Sequence, residues 1–443
     1  MRRITATLLI IALACTAQAD DSTATPSAAT PAAMTLAQLI DRSLSANPDT
    51  RAAWQRSRSQ VERVGIAKSA YYPTLDASAS LSERLGDAAV PGAERQTQLG
   101  LSSQWLLWDF GGRRANLDGT QQTLAALQAS QDTVSQQVAI SAVQNWFAQL
   151  SARATLEAAQ ASLLAAEETA RAARQRQLIG VATREDELQA ETALAQARLT
   201  LIQRQGELAA SAGRLAVVAG YAADTALALD YQDSELDNLR ANASAQPPEL
   251  KQLLIQAQER RPELLAQQLR VHANSAELDR ITAQARPRLS LSASSSNSRD
   301  DLSQNQGGQV ALTATLPLFT GFQQRHQEAL AQSQIAEQSI ELARIQQQVS
   351  LDVWLAWQQF STAQARIAAT DSLLAAASES SRAALARYQA GLGNLLNVLT
   401  AQSNLADARQ QHARSRFDLA AARLQLAQAS GLLVRDTAME FRP

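Results

Sequence analysis

One stretch of sequence decides the fold: Arg387–Gly431, which reads RYQAGLGNLLNVLTAQSNLADARQQHARSRFDLAAARLQLAQASG. It predicts the end of one helix, a break at a glycine and a long second helix. An earlier copy, RQLIGVATREDELQAETALAQARLTLIQRQGELAASAGRLAVVAG, begins at Arg176, 211 residues before Arg387. Because the same offset relates Gly180 to Gly391 and continues without a gap, the chain contains an internal repeat.

The N-terminal end has the pattern of an export signal. Met1-Arg2-Arg3 precedes an apolar core and a small-residue cleavage site, which predicts a signal peptide over 1–19 and a flexible lead over 20–34. The only cysteine, Cys15, lies in this signal, and we expect it to be removed rather than lipidated. A mature chain without cysteine has no thiolate metal site. Lys and Arg (40) nearly balance Asp and Glu (42), so nothing favours nucleic-acid binding.

Strong helix formers dominate two long segments without proline, 113–179 and 323–390. A helix of about 67 residues would be a rod of roughly 100 Å. Residues 183–219 predict a helix that returns along the first rod, and shorter helices are predicted over 35–46 and 49–69. We place the first repeat at 35–221, a linker at 222–248, the second repeat at 249–433 and a tail at 434–443.

Between the helices, apolar and polar residues alternate with the period of a β-strand. The predicted apolar faces are Leu75, Ala77, Ala79 and Leu81; Leu99, Leu101, Trp105 and Leu107; Leu289, Leu291 and Ala293; and Val310, Leu312, Ala314, Leu316 and Leu318. Loops are predicted over 83–95 and over 297–308, where polar residues and glycine accumulate. Each repeat therefore predicts a strand hairpin between helical arms.

Strands of about ten residues are long enough to cross a bilayer when tilted. Four such strands cannot close a barrel, and lipid does not tolerate unpaired strand edges. Several chains must therefore combine their strands if the hairpins lie in a membrane. The helices are rich in Ala, which suits close packing in curved layers. Both features predict an oligomer.

Several segments resemble the TolC-type outer-membrane factor family, the channel component of bacterial tripartite efflux pumps and type I secretion systems. They are Tyr72-Pro73-Thr74-Leu75, Arg286-Pro287-Arg288-Leu289, LLWDFGGRR, PLFTGF, RQLIGVATRED and RYQAGLGNLLNVL. The likeness covers residues 35–433. It implies a mainly α fold with a transmembrane β part. Three chains would form a twelve-stranded barrel in the outer membrane of a Gram-negative bacterium, above an α-helical periplasmic tunnel.

The resemblance also implies partners and a candidate site. The partners are two further copies of the chain, a periplasmic adaptor protein, an inner-membrane transporter and outer-membrane lipid, with no cofactor or metal. The hairpins at Gly180 and Gly391 would form the periplasmic tip that contacts the adaptor. The candidate tip residues are Arg176, Gly180, Thr183, Arg184, Asp186, Arg387, Tyr388, Gly391, Asn394 and Asn397. For the two glycines, ordinary helix termination is an alternative that is compatible with adaptor contact.

The second hairpin departs from the family pattern. Some members carry an arginine after the second tip glycine and two inward-facing aspartates on the next helix. Gly393, Asn397 and Thr400 occupy those positions here, which argues against a carboxylate ring and an arginine lock. Asp186, the first-repeat counterpart of Asn397, would place an acid near the entrance or simply be a solvated charge on the helix face.

Aromatic residues at strand ends form a second candidate set: Tyr71, Tyr72, Trp105, Trp108 and Phe319. They suit an interfacial aromatic belt or, alternatively, burial where helix meets strand.

No catalytic motif emerges from the sequence. His272, His326 and His412 are scattered, and Asp109-Phe110-Gly111 lacks the partner motifs of a kinase. We therefore predict a passive exit duct for an efflux or type I secretion system rather than an enzyme. The alternative is a soluble periplasmic helical scaffold or adaptor, because the apolar strand faces are thin and short.

Overall fold

A computed structural model describes residues 33–83, 95–231, 249–300 and 303–432. The predicted signal peptide with Cys15, nearly all of the flexible lead, most of the 83–95 loop and of the linker, and the tail lie outside these residues. The helices are α1 (Leu36–Ala46), α2 (Pro48–Ser69), α3 (Gly112–Leu178), α4 (Arg184–Val218), α5 (Leu250–Arg260), α6 (Pro262–Gln284), α7 (Gln323–Gln389) and α8 (Leu395–Ala429). The strands are β1 (Thr74–Glu83), β2 (Arg95–Trp108), β3 (Arg288–Asp300) and β4 (Gln304–Thr315).

The second half of the chain repeats the first, element by element. Helices α3 and α7 have 67 residues each, and α4 and α8 have 35 each. Helices α1 and α5 both have 11 residues. The helix–hairpin–long-helix order that the sequence predicts is therefore present twice, with matching lengths.

Capping residues fix where the short helices begin. Thr35 and Gln38 form a capping box at α1, in which each side chain accepts a hydrogen bond from the other's backbone N–H. Asn47 Oδ1 then accepts from a backbone N–H in the first turn of α2, which starts with Pro48. In the second repeat Pro262 likewise opens α6. The chain thus bends at equivalent prolines in both repeats.

The strands form one antiparallel sheet in the order β1-β2-β3-β4. Its register sets Ala77 opposite Leu101, and Leu291 opposite both Trp105 and Leu312. Because directly paired residues point to the same side, the predicted apolar residues share one face and serine-rich positions share the other. In the described residues β1 pairs only with β2, and β4 only with β3. The two outer edges of the sheet are therefore unpaired among the residues that the structure describes.

Three details of the predicted strands were wrong. The predicted loop 297–308 is mostly strand, because β3 and β4 continue pairing through Asn297 and Gln306. Both faces are polar there, so alternation gives no signal. Strand β4 ends at Thr315, before the predicted Leu316 and Leu318, because the intervening Pro317 cannot donate to a ladder. A bulge between Leu106 and Trp108 leaves Leu107 out of register and brings Trp108 opposite Leu289.

The helices pack around narrow cores rather than one wide centre. One core surrounds Trp146, Leu39 and Leu215 near the middle of α3, and another surrounds Val349 and Val353 on α7. Small residues separate these anchors, which lets long helices lie close together. Among the described helices, none combines the length and hydrophobicity that a membrane span requires.

Candidate functional site at the helical hairpins

The first hairpin turns at Gly180. Its φ of +77° is left-handed, and Val181 N donates to Arg176 O at 2.9 Å, which closes the end of α3. Helix α4 starts with a capping box: Asp186 N donates to Thr183 Oγ1 at 3.1 Å, and Thr183 N donates to Asp186 Oδ2 at 3.0 Å. Asp186 is thus committed to starting a helix, a role that the sequence analysis did not assign to it.

The second hairpin has the same geometry with weaker capping. Gly391 has a φ of +80°, and Leu392 N donates to Arg387 O at 2.9 Å. Asn394 Oδ1 accepts from Asn397 N at 3.0 Å, but Asn397 returns no hydrogen bond to Asn394. Because Asn397 stands where the first repeat has Asp186, the second hairpin has only one of the two hydrogen bonds of a capping box.

Arg176 and Tyr388 join the two hairpins. The Arg176 guanidinium carbon lies 4.7 Å from the centre of the Tyr388 ring, and Arg176 Nη1 donates to Tyr388 O at 2.6 Å. Tyr388 is 3% exposed and packs with Ala173, Ala190 and Leu395. Burial raises the pKa of the Tyr388 phenol above its ordinary value, while the nearby Arg176 charge opposes that rise. A neutral ring and a cation thus form the link.

A buried carboxylate, which sequence reasoning missed, stabilises the first hairpin. The Glu187 side chain is only 4% exposed, and it pairs with Arg184 and with Arg174, whose Nε lies 3.3 Å from Glu187 Oε1. Arg174 also reaches Glu191 at 3.6 Å. Only Arg184, three residues before Glu187, is at helical spacing from it; Arg174 lies 13 residues earlier on α3 and is brought to it by the turn. The cluster ties the end of α3 to the start of α4.

Arg387, another predicted tip residue, takes part neither in the Arg176–Tyr388 contact nor in the cluster around Glu187. Arg387 is exposed, and no described residue bonds to its side chain. The outermost apolar side chains are also exposed: Leu178 by 75%, Ile179 by 74% and Leu392 by 75%. The tip therefore presents an apolar surface with a cation on the second hairpin.

The predicted aromatic set lies at the base of the sheet. All five residues are exposed, from Tyr71 at 38% to Phe319 at 76%. Trp105 Nε1 donates to Tyr71 O at 3.0 Å, which ties β2 to the end of α2. Trp108 stacks edge-on with Phe110 at 6.0 Å. Burial between helix and strand, the alternative, does not describe these side chains within one chain.

Sequence comparisons identify the family. The family described as Outer membrane efflux protein matches residues 39–221 and 253–432, most of both repeats. Protein CyaE of Bordetella pertussis is 29% identical over 408 residues, covering 91% of this chain and 85% of CyaE. Outer membrane efflux protein BepC of Brucella suis is 24% identical over 410 residues, covering 91% of this chain and 86% of BepC.

Solved structures share the fold. The outer membrane protein VceC of Vibrio cholerae superposes with a TM-score of 0.75 at 22% identity, covering 89% of this chain and 96% of VceC. The match to an outer membrane efflux family over most of both repeats does not favour the soluble scaffold. The chain belongs to the outer membrane efflux protein family and is an outer-membrane exit duct with its helical part in the periplasm.

Proposed function

We propose that three copies of the chain join edge to edge into one twelve-stranded barrel, continued in the periplasm by a tunnel of their helices. The observation that carries this proposal is the sheet, whose outer strands β1 and β4 each have an edge that no described residue pairs, and one of whose faces carries apolar residues from all four strands. In lipid, each unpaired backbone group costs several kcal/mol, so such a sheet needs a partner at both edges. Copies of the same chain supply β4 for β1 and β1 for β4.

The faces of the sheet match the two sides of such a barrel. Leu75, Leu101 and Leu312 are exposed on one face by 70%, 48% and 62%, which suits contact with lipid. Serines and glutamines line the other face, which suits a water-filled lumen. Tyr71, Tyr72, Trp105, Trp108 and Phe319 then lie where lipid meets water and form an interfacial belt.

The hairpin tip suits a docking partner. The exposed Leu178, Ile179 and Leu392 offer apolar contact, and Arg387 adds a charge that orients it. A periplasmic adaptor protein that also holds an inner-membrane transporter would meet the duct here. The energy for export would come from that transporter, and the duct itself would act without a cofactor and without catalysing a reaction.

Disulfide cross-linking tests the barrel. Within one chain β1 and β4 are three strand spacings apart, about 14 Å, whereas a disulfide requires Cα atoms within about 7 Å. Any bond between them therefore joins two chains. In a chain whose only cysteine is Cys15, Ser78→Cys is combined in turn with cysteines at Gln309, Ala311 and Thr313, all on the polar face.

One of these pairs should give a covalent trimer on a non-reducing gel. Ala79→Cys combined with Ala311→Cys is the matched control, because the two thiols would lie on opposite faces and should not bond. If every same-face pair yields only monomer, the edge-to-edge trimer is wrong.

A further inference from the structure

A basic cavity lies where the first repeat meets the second, between β2, α3, α6 and β3. Its volume is about 320 Å³, at the lower end of about 300–1,000 Å³ for ligand pockets. The polar side chains that line it are Asp109, Arg113, Asn116, Arg280, Gln284 and Arg288. Three arginines and one carboxylate are among these residues, and the carboxylate, Asp109, pairs with Arg113 at 3.5 Å. The lining therefore carries an excess of positive charge.

The three arginines differ in how much of their hydrogen-bonding capacity is used. Arg113 donates to Leu106 O at 2.6 Å and to Leu107 O at 3.0 Å, so its guanidinium holds β2 against α3. Arg280 forms two bonds to Glu277, at 2.6 and 2.7 Å, and this hydrogen bonding raises its pKa. Arg288 is exposed, and no described residue bonds to its side chain. Its guanidinium N–H groups are therefore available to a ligand.

The internal repeat shows that the fold itself does not require this charge. At the offsets that relate the repeats, Ile66 corresponds to Arg280 and Thr74 to Arg288. Gln324 corresponds to Arg113 and donates to Ile281 O at 2.8 Å, a bond to α6 of its own repeat. The three arginines therefore have no charged counterparts at the equivalent positions of the other repeat.

The cavity opens toward the polar side of the sheet. Leu106 and Arg288 line it, and both share the face of Ser290, Ser292 and Gln104 rather than that of Leu291. That this polar face lines the lumen rests on the proposed function. The aromatic belt and the lipid would lie on the opposite face. A ligand of this cavity would therefore come from the water-filled lumen.

We propose that this cavity binds an oxyanion, a phosphate or carboxylate group carried by cargo or solutes in the lumen, between Arg288 and Arg280. The planar guanidinium of Arg288 matches both anions through paired N–H donors, and Arg280 adds Nη1, which its two bonds to Glu277 do not use. A trimer would hold three such sites where the helical tunnel meets the barrel. The duct would then favour anionic groups at this level.

Calorimetric titration of the detergent-purified protein with pyrophosphate, at constant ionic strength, tests the site. We expect saturable binding at one site per chain, since the equivalent junction lacks the arginines. Arg288→Ala should weaken binding by about tenfold or more, because a hydrogen bond to a charged group is lost. Arg288→Lys should retain part of the affinity. Arg286→Ala removes an exposed charge two residues away, outside the cavity, and should bind as wild type.

Absent binding, or binding that Arg288→Ala leaves unchanged, would overturn the proposal. The titration is repeated in nanodiscs of phosphatidylcholine and of phosphatidylglycerol. Equal affinity for pyrophosphate in both kinds of nanodisc supports a site that faces the water. Loss of binding in phosphatidylglycerol means that a lipid headgroup occupies the cavity, and the proposal of an oxyanion from the lumen is then wrong. Because binding in micelles does not depend on strand cross-linking, failure of this site and failure of the trimer are separately visible.

Discussion

Arg176 Nη1 donates to Tyr388 O at 2.6 Å while its guanidinium covers the Tyr388 ring, so the end of α3 is fastened to the end of α7. The two residues are 212 positions apart in the sequence and occupy equivalent ends of the two long helices. A contact between the hairpins at this level restrains them from moving apart. We propose that this restraint keeps the periplasmic end of the duct closed until a partner shifts the hairpins.

Removing the Arg176 side chain should loosen the tip. We expect Arg176→Ala to weaken the link between the hairpins by about 1–2 kcal/mol, the low end for a charged hydrogen bond plus a cation–π contact, because Arg176 is half-buried. Single-channel recordings in planar bilayers should show openings that are larger or more frequent than in the wild type.

Tyr388→Phe is the matched control for that experiment. The Tyr388 hydroxyl is buried without a hydrogen-bond partner among the described residues, so its loss should leave both the ring contact and the conductance unchanged. If Arg176→Ala conducts as the wild type does, the contact does not restrain the hairpins.

Neutralising Glu187 should destabilise the first hairpin. The carboxylate is buried, but Arg174 and Arg184 are 66% and 65% exposed, so we expect Glu187→Gln to cost about 1–2 kcal/mol rather than the full value of a buried pair. Hydrogen exchange should quicken in the first turns of α4. Glu185→Gln changes an exposed carboxylate in the same turn and should have little effect. Equal exchange in both variants would show that the buried pair adds no stability.

The Tyr388 phenol gives the tip a dependence on alkaline pH. Its folded-state pKa is raised by burial, so the folded protein binds the proton more tightly than the unfolded chain does. The stability that the protonated phenol contributes is therefore fully present below the pKa of tyrosine in the unfolded chain, about 10. It is lost as the pH rises through the higher pKa of the folded state. Between pH 9 and 11 the thermal midpoint of the wild type should fall more steeply than that of Tyr388→Phe. Parallel curves would contradict this assignment.

Local and periodic features of the fold were predictable from the sequence. Glycines ending α3 and α7, the long proline-free helices and the apolar strand faces all depend on neighbours in the chain, and the structure has them. The continued pairing of Asn297 with Gln306 was not predictable, because ladder hydrogen bonds form between backbones whatever the side chains are.

Contacts between the two repeats could not be predicted from the sequence either. The Arg176–Tyr388 link joins residues from separate halves of the chain, and periodicity within one helix does not report which helices meet. The burial of Glu187 depends on how α3 and α4 pack, so the sequence shows only a charged helix start. Long-range packing, rather than local propensity, sets the geometry of the tip.

Two glycine substitutions should have opposite effects. Gly391 has a left-handed φ of +80°, so Gly391→Ala should cost about 1–2 kcal/mol even though no atom would contact the new methyl group. Gly206 is exposed in the interior of α4, and a methyl group added there would also contact no atom. Because alanine favours a helix more than glycine does, Gly206→Ala should stabilise α4 by about 0.5–1 kcal/mol. Thermal midpoints should move in opposite directions. A rise for Gly391→Ala would mean that the turn has another geometry.

Reversing the charge at the tip should separate export from assembly. Arg387 is exposed with no described residue bonded to its side chain, so Arg387→Glu should fold and form trimers as the wild type does. If the adaptor docks on the hairpins, the reversed charge repels what the arginine attracted, and export should fall. Arg56→Glu makes the same change at an exposed position on α2, away from the hairpins, and should export normally. Normal export by Arg387→Glu, with trimers intact, would remove this residue from the docking surface. A defect in both variants would indicate a general effect of charge rather than a docking site at the tip.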